Sequence, residues 1–379
     1  MGPTGETVTF PLPEHFLPKG SLSAEETKAF RASANELLAR TLEQEMAFRG
    51  PEQGRLEKTQ WKLFRSRDRL RVYKRRPLGQ MQAATPMVLG VGQIEGRIED
   101  VLSGLHYKTS AEMRLTTSFM NPRHVDAAVL HTIDSRTNED PFRSLAIKWR
   151  VTETPGGNLI KNRDVCVLDY TGKQVDAKGV PFGFHMLQSI EVPWFPALPD
   201  PNIIRARIML CSIFRQRNAT SVDCYMKGVF DLGGDLLEIV AYETASDALF
   251  THVKAVDCAN TKKLTRQLIA QQQRQLQTFG RRVESAGDPL VPTGETFCAV
   301  CHKKRRALSA NWNHCRLCQG FACSKCLIKR PVFARPRNFD VVCCKPCVIS
   351  SRARDTAPRE PFPVISSLVN GQQAMVMKK

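Results

Sequence analysis

Long apolar runs are missing from this chain of 379 residues. No stretch reaches the roughly 18 apolar residues of a membrane-spanning helix. The nearest, 203–214, is too short and is broken by Arg205 and Arg207. The first residues lack the charged-then-apolar order of a secretion signal, and Pro3 and Glu6 spoil the myristoylation pattern that Gly2 would begin. A protein that is neither secreted nor membrane-spanning is therefore expected, cytoplasmic in location. A nucleotide loop is missing too: Gly90-Val91-Gly92 with Gly96 is off by one in spacing, and no acidic residue follows about 20 positions on. No nucleophile, base and orienting group stand at a recognisable spacing, so an enzyme is not expected. Acidic residues are scarce, 37 against 55 Lys and Arg, which gives a formal charge of +18.

Cysteine is what the chain has in excess. Four Cys-x-x-Cys pairs fall within 298–347: Cys298/Cys301, Cys315/Cys318, Cys323/Cys326 and Cys344/Cys347. Chance would give roughly 0.4 such pairs in the whole chain, so the cluster has a cause. In a reducing compartment clustered cysteines read as metal ligands rather than disulfides. One pair lets two thiolates reach an ion from one tight turn, and two pairs complete a tetrahedral shell. Eight ligands therefore imply two Zn²⁺ ions as cofactors, with no open coordination position for a reactive water. Cys343 is a spare beside a ligand. Cys166, Cys211, Cys224 and Cys258 stand in apolar surroundings and read as inert core residues. The stretch 298–347 carries eleven Lys or Arg against one acid, Asp340. Even with the metal charge counted it stays basic, which suits an anionic membrane, an acidic protein or nucleic acid. The run Lys303-Lys304-Arg305-Arg306 concentrates that charge.

The remainder reads as an α+β domain. Ser23-Ala24-Glu25-Glu26 is a capping box opening a helix that ends at Gly50-Pro51. Strand patterns follow from Trp61, with Leu70 and Val72 alternating against Arg69 and Arg71, and at 87–94. Two short helical patterns lie at 97–107 and 109–119. Six strand patterns follow, at 126–134, 143–153, 163–171, 183–192, 203–216 and 221–230. A long helix is expected over about 236–276, opened by Asp235 with Glu238, its polar end leaving the core. The domain organisation expected is a disordered N-terminus over 1–20, a first domain over 21–279, a linker over 280–296, a zinc module over 297–350 and a disordered tail over 351–379.

This order, an antiparallel sheet with a long terminal helix laid across it, is a helix-grip architecture. Together with the Trp61 region leading into Arg71-Val72-Tyr73-Lys74-Arg75, and with Asn162-Arg163-Asp164-Val165 ahead of a strand, it resembles the START lipid-binding family. That resemblance implies a cavity for a lipid or another apolar ligand between sheet and helix. A filled core used as a scaffold is the alternative, and Met186, Met209 and Phe214 suit core and lining equally.

The zinc region, with gaps of thirteen, four and seventeen residues between its pairs, resembles a FYVE finger. The phrase His314-Cys315-Arg316-Leu317-Cys318 matches the end of that family's basic signature, and Val342 stands near the Val of its last motif. The resemblance implies cross-braced ligation, with Cys298, Cys301, Cys323 and Cys326 on one zinc and Cys315, Cys318, Cys344 and Cys347 on the other. It also implies phosphoinositide binding on endosomal membranes, through His314 and Arg316. Departures bear on that role. The family's Trp-x-x-Asp is absent before Cys298, Asn311-Trp312-Asn313 replaces basic residues, and Asp340-Val341-Val342 supplies no Arg. Lys303, Lys304, Arg305 and Arg306 offer a displaced anion-binding patch, with Trp312 and Leu308 either inserting into the membrane interface or packing on the small core.

The leading expectation is a zinc-binding, non-enzymatic adaptor recruited to phosphoinositide or other anionic membranes or to a protein partner. A protein-interaction or ubiquitin-pathway module on a scaffold is the alternative, although the four-residue middle gap speaks against a RING. A nucleic-acid binder rests on charge alone, because the strands lack the aromatic signatures of RNA readers.

Overall fold

A computed structural model of the protein describes residues 8–13, 16–17, 20–50, 54–77, 85–283, 297–305, 312–335, 337–354 and 362–365. The chain forms two compact units, Met1–Cys258 and Ala259–Lys379. The division falls inside a helix rather than at the linker expected over 280–296, of which residues 284–296 lie outside the described residues. The physical reason is that Leu264 and Leu268, on that helix, bury in the apolar core of the second unit.

The first unit is an α+β helix-grip fold. Helix α1 (Ala24–Arg49) starts as its capping box dictates, with Ser23 Oγ accepting from Glu26 N and the Glu26 carboxylate accepting from Ser23 N. Then come β1 (Trp61–Arg67), β2 (Leu70–Arg75), β3 (Met87–Glu95), α2 (Ile98–Leu105), α3 (Ser110–Met120), β4 (His124–Asp134), β5 (Ser144–Thr152), β6 (Asn162–Val175), β7 (Pro181–Ser189), β8 (Ile203–Arg205), β9 (Arg207–Asn218), β10 (Ser221–Asp231) and α4 (Glu238–Val283). One sheet runs in the order β1-β2-β3-β10-β9-β7-β6-β5-β4, antiparallel throughout, with short β8 joining β6 in parallel. The single strand expected over 203–216 is thus two. Ala206 N donates to the Asp164 carbonyl, and the Arg205 guanidinium turns onto the Asp164 carboxylate at 2.9 Å, which breaks the run there. Helix α4 also begins later than Asp235 suggested: the Leu237 carbonyl accepts the first helical bond, from Ala241 N.

Alternation along the strands separates two faces. Leu145, Ile147 and Trp149 of β5, Cys166, Leu168 and Tyr170 of β6, and Phe182, Phe184 and Met186 of β7 form one core with Ala34, Leu37 and Leu38 of α1. This is the outer face. Residues 8–13, expected to be unstructured, join it. Leu12 is buried, its N–H donates to Asp126 Oδ2, and Phe10 stacks on Trp149. The opposite, inner face carries α2 and the N-terminal part of α4. Gly104 of α2 touches Ala255, and Gly90 of β3 lies against Leu249. Met186 and Met209 belong to the outer core, while the Phe214 ring meets His252 on the inner face.

The second unit holds the rest of α4 and small elements: β11 (Asn313–His314) with β12 (Phe321–Ala322), β13 (Leu327–Val332) with β14 (Phe339–Cys344), and α5 (Lys345–Arg352). Leu264 and Leu268 pack with Val332, Val341 and Val348, and Thr265 Oγ1 accepts from Phe333 N at 3.0 Å. Part of the expected tail is built in: Ile365 is buried and donates its N–H to the Phe333 carbonyl.

Candidate metal centres and inner-face cavity

The four Cys-x-x-Cys turns converge as two tetrads. Cys298, Cys301, Cys323 and Cys326 gather their sulfurs within 4.8 Å of one another, and so do Cys315, Cys318, Cys344 and Cys347. First pairs with third and second with fourth, the cross-brace that the spacing resemblance implied. A Zn–S bond of about 2.3 Å sets a tetrahedral S···S edge of about 3.8 Å. The Sγ atoms of Cys301 and Cys323 lie 3.7 Å apart, and those of Cys318 and Cys344 3.9 Å apart. Backbone N–H groups already point at sulfur: Val300 and Cys323 donate to Cys298 Sγ, and Cys344 donates to Cys315 Sγ. Burial pushes the Cys298 thiol up, but N–H donors from Cys323, Cys301 and Val300 outweigh it and hold the group at about 6. His302 (φ 55°) and Gln319 (φ 62°), each directly after the second cysteine of a pair, take the left-handed conformation that closes the turn. Donor chemistry, spacing and N–H···S bonds all fit one structural zinc ion per tetrad. Cys343 belongs to neither tetrad and is fully buried in the apolar core.

Packing on Phe321 gathers part of the basic run. The Arg305 guanidinium sits 5.5 Å from the Phe321 ring centroid, the His314 ring 5.1 Å and the Trp312 ring 5.3 Å. Lys304 bridges to Phe297, next to Cys298, and Lys303 and Lys304 are both exposed. His314 Nδ1 meets the Gln319 carbonyl at 2.9 Å. Arg316 is exposed, its own N–H donating to the Val342 carbonyl. Trp312 packs against Cys298, Ala322 and Cys323, the small-core alternative. Arg306, Leu308 and Asn311 lie outside the described residues.

Within the first unit, the inner face and α4 enclose a cavity of about 130 Å³. Its wall is apolar at Leu105, Val165, Leu187, Leu210 and Phe230, and charged or polar at Arg123, His124, Arg150, Asp247 and His252. Beneath it lies a buried ionic cluster absent from the sequence reading. Lys148 Nζ is 3.2 Å from Asp169 Oδ1, Arg150 Nη2 donates to Asp169 Oδ2 at 3.4 Å, and Tyr107 donates to the same oxygen at 3.3 Å. His252 Nδ1 donates to the Leu249 carbonyl, so its Nε2 accepts from His185 Nδ1 at 3.0 Å. His185 Nε2 then faces Asp169 Oδ1 at 3.5 Å without a hydrogen bond. Burial alone would raise the Asp169 carboxyl, but Lys148 and His185 hold it well below the usual carboxylate range. Burial also depresses His252 to about 3. The one sequence signal for this cluster is charge at alternate strand positions, Lys148 and Arg150 between Ile147, Trp149 and Val151, and Asp169 between Leu168 and Tyr170, a pattern that an ordinary solvent-facing side of a sheet shares. The Arg-Asp pair singled out in the sequence does not line the cavity as a unit: Arg163 lines it, whereas Asp164 accepts from Trp149 Nε1 on the other face.

The chain matches no family model and no curated protein. Among solved structures it is similar to human StAR-related lipid transfer protein 5, at 15% identity and TM-score 0.41 over 60% of this chain and 97% of that one. Human STARD10 matches at 14% identity and TM-score 0.38, over 62% and 80% of the two chains. The lipid transfer and protein localization domain of human StarD13 matches at 15% identity and TM-score 0.38, over 58% and 94%. Likeness at this level assigns no family and no ligand to the chain.

Proposed function

We propose that this protein is a non-enzymatic adaptor. Its FYVE-like finger, braced by two zinc ions, recruits it to anionic, phosphoinositide-bearing membranes such as endosomes, and its START-like domain takes the polar end of a lipid against the inner-face cluster. The observation that carries the reading is the convergence of Lys304, Arg305 and His314 on a turn that the cysteine tetrads fix in place. Exposed cations near an anionic surface each contribute about 1 kcal/mol, and Arg316 adds a donor suited to phosphate. Support for a lipid comes from a mixed lining of apolar walls and buried charge, the usual make-up of a ligand site. The cavity of about 130 Å³ is smaller than such sites commonly are, so a whole lipid requires side chains between α4 and the sheet to move.

Vesicle flotation tests the recruitment. The zinc-loaded protein is expected to float with vesicles containing phosphatidylinositol 3-phosphate or phosphatidylserine and to stay behind with neutral ones. Lys303→Glu with Lys304→Glu should abolish flotation on both anionic lipids, and Arg316→Ala should lower it selectively on the phosphoinositide. Flotation indifferent to all three substitutions would discard the membrane role. Native mass spectrometry of the protein from cells tests the cavity: a retained lipid mass is expected, and its loss in Arg150→Leu.

A further inference from the structure

A second concave site lies on the outer face of the sheet, on the opposite side from the inner-face cavity. Helix α1 packs over β6, β7 and β9. Beyond its C-terminal end, the outer surfaces of β1, β2, β3 and β10 line a groove of about 950 Å³. The floor is apolar. Leu63 is half exposed there, at 51%, and the Phe48 ring of α1 packs tilted against Tyr225 of β10, 5.5 Å between centroids. Gly92, at φ 152°, lets β3 lie close to the turn into β2, because a Cβ there would meet the Arg69 carbonyl oxygen at 2.1 Å.

The rim is cationic. Seven Lys or Arg and three carboxylates line the groove. Two of those carboxylates are already taken: Glu45 by Arg215 and Arg49, and Asp223 by Arg49 and Arg217. Among the described residues, Lys58, Arg69, Arg71 and Arg76 are exposed with no carboxylate partner. Unpaired like charges held around an apolar floor raise the local field and favour an anionic partner that also buries apolar surface.

We infer that this groove is a docking surface for an acidic, amphipathic segment of a partner protein, bound extended with apolar side chains on the floor and carboxylates on the rim. Alternation in an extended chain supplies both faces at once. A polyphosphate backbone would satisfy the rim and leave the floor unused. Bases could stack there instead, but Tyr225 is buried and its ring is already covered by Phe48, so an acidic peptide is the better fit.

The test uses the full zinc-loaded chain and a fluorescein-labelled peptide that alternates glutamate and leucine, read by fluorescence anisotropy. Binding is expected to weaken about tenfold or more in Arg69→Glu/Arg71→Glu. It should weaken also in Leu63→Gln, and stay unchanged in Lys303→Glu/Lys304→Glu. An unaltered thermal midpoint and two bound zinc ions show that each variant folds. Peptide binding that ignores the groove variants, or that follows the finger variant instead, overturns the assignment. So does labelled poly(dT) binding more tightly than the peptide with the same groove dependence, which would make the site a nucleic-acid surface.

Discussion

Cys343 and Cys344 show how little separates a ligand from a core residue. They are adjacent in sequence, yet Cys344 turns its sulfur to the second tetrad while Cys343 is fully buried in apolar packing. Contact with the Cys315 sulfur, and burial after it, push the Cys343 thiol up and keep it protonated. Cys343→Ala should therefore retain two zinc ions per chain, while Cys344→Ala retains one; elemental analysis of the purified variants decides. The inner-face histidines make a second prediction. Burial holds His252 at about 3 and His124 at about 4, against about 6.5 in an unfolded chain. Between those values the unfolded state holds protons that the folded state refuses. Stability present above about pH 6.5 should fall as the pH drops, by up to about 1.4 kcal/mol per unit for each histidine. Urea midpoints at pH 7 and pH 5, with zinc saturating, should differ, and His252→Gln should shrink the difference. Equal midpoints in the parent protein would contradict this account.

At the scale of elements, α2 and α4 meet at Gly104 and Ala255 with no room for a side chain between them. A Cβ on Gly104 would come within 1.9 Å of the Ala255 carbonyl oxygen, and backbone cannot step aside as a side chain can. Gly104→Ala should destabilise the first unit by about 1–3 kcal/mol or more, measured by denaturant unfolding. Gly179→Ala, where nothing lies within 4 Å but φ is 75°, separates backbone strain from this clash. Most elements were legible because their signals are local. The capping box at Ser23, the Gly50-Pro51 stop and the two-residue alternation of β5 to β7 each act within a few positions. The break at Ala206 was not legible, because it depends on an Arg205–Asp164 contact across strands. The ionic cluster was hidden for the same reason: Lys148, Asp169, His185 and His252 meet only once four elements have been assembled. The tetrads were the opposite case, since Cys-x-x-Cys spacing states its chemistry outright, and only the choice of which pairs share an ion required a fold.

For the whole molecule, the two units have different sources of stability. The first has a large apolar core on its outer face and an occupied inner face. The second buries few large side chains and depends on its thiolate tetrads, where a structural zinc contributes on the order of 10 kcal/mol. A chelator should therefore unfold residues 297–352 while the central strands persist. Hydrogen exchange should show amides of β13 and β14 losing protection and those of β5 and β6 keeping it. Simultaneous loss in both would contradict this division of stability.

The sulfur inventory of the first unit has a practical corollary. Cys166, Cys211 and Cys224 are sealed in the interior with their thiols pushed up to about 12, and Cys258 is fully buried as well. None can compete for an alkylating reagent while the sheet is intact. Sulfhydryls that become titratable must then come from the finger, four for each departing ion and Cys343 once the packing around it opens, so the molecule carries its own gauge of metal occupancy.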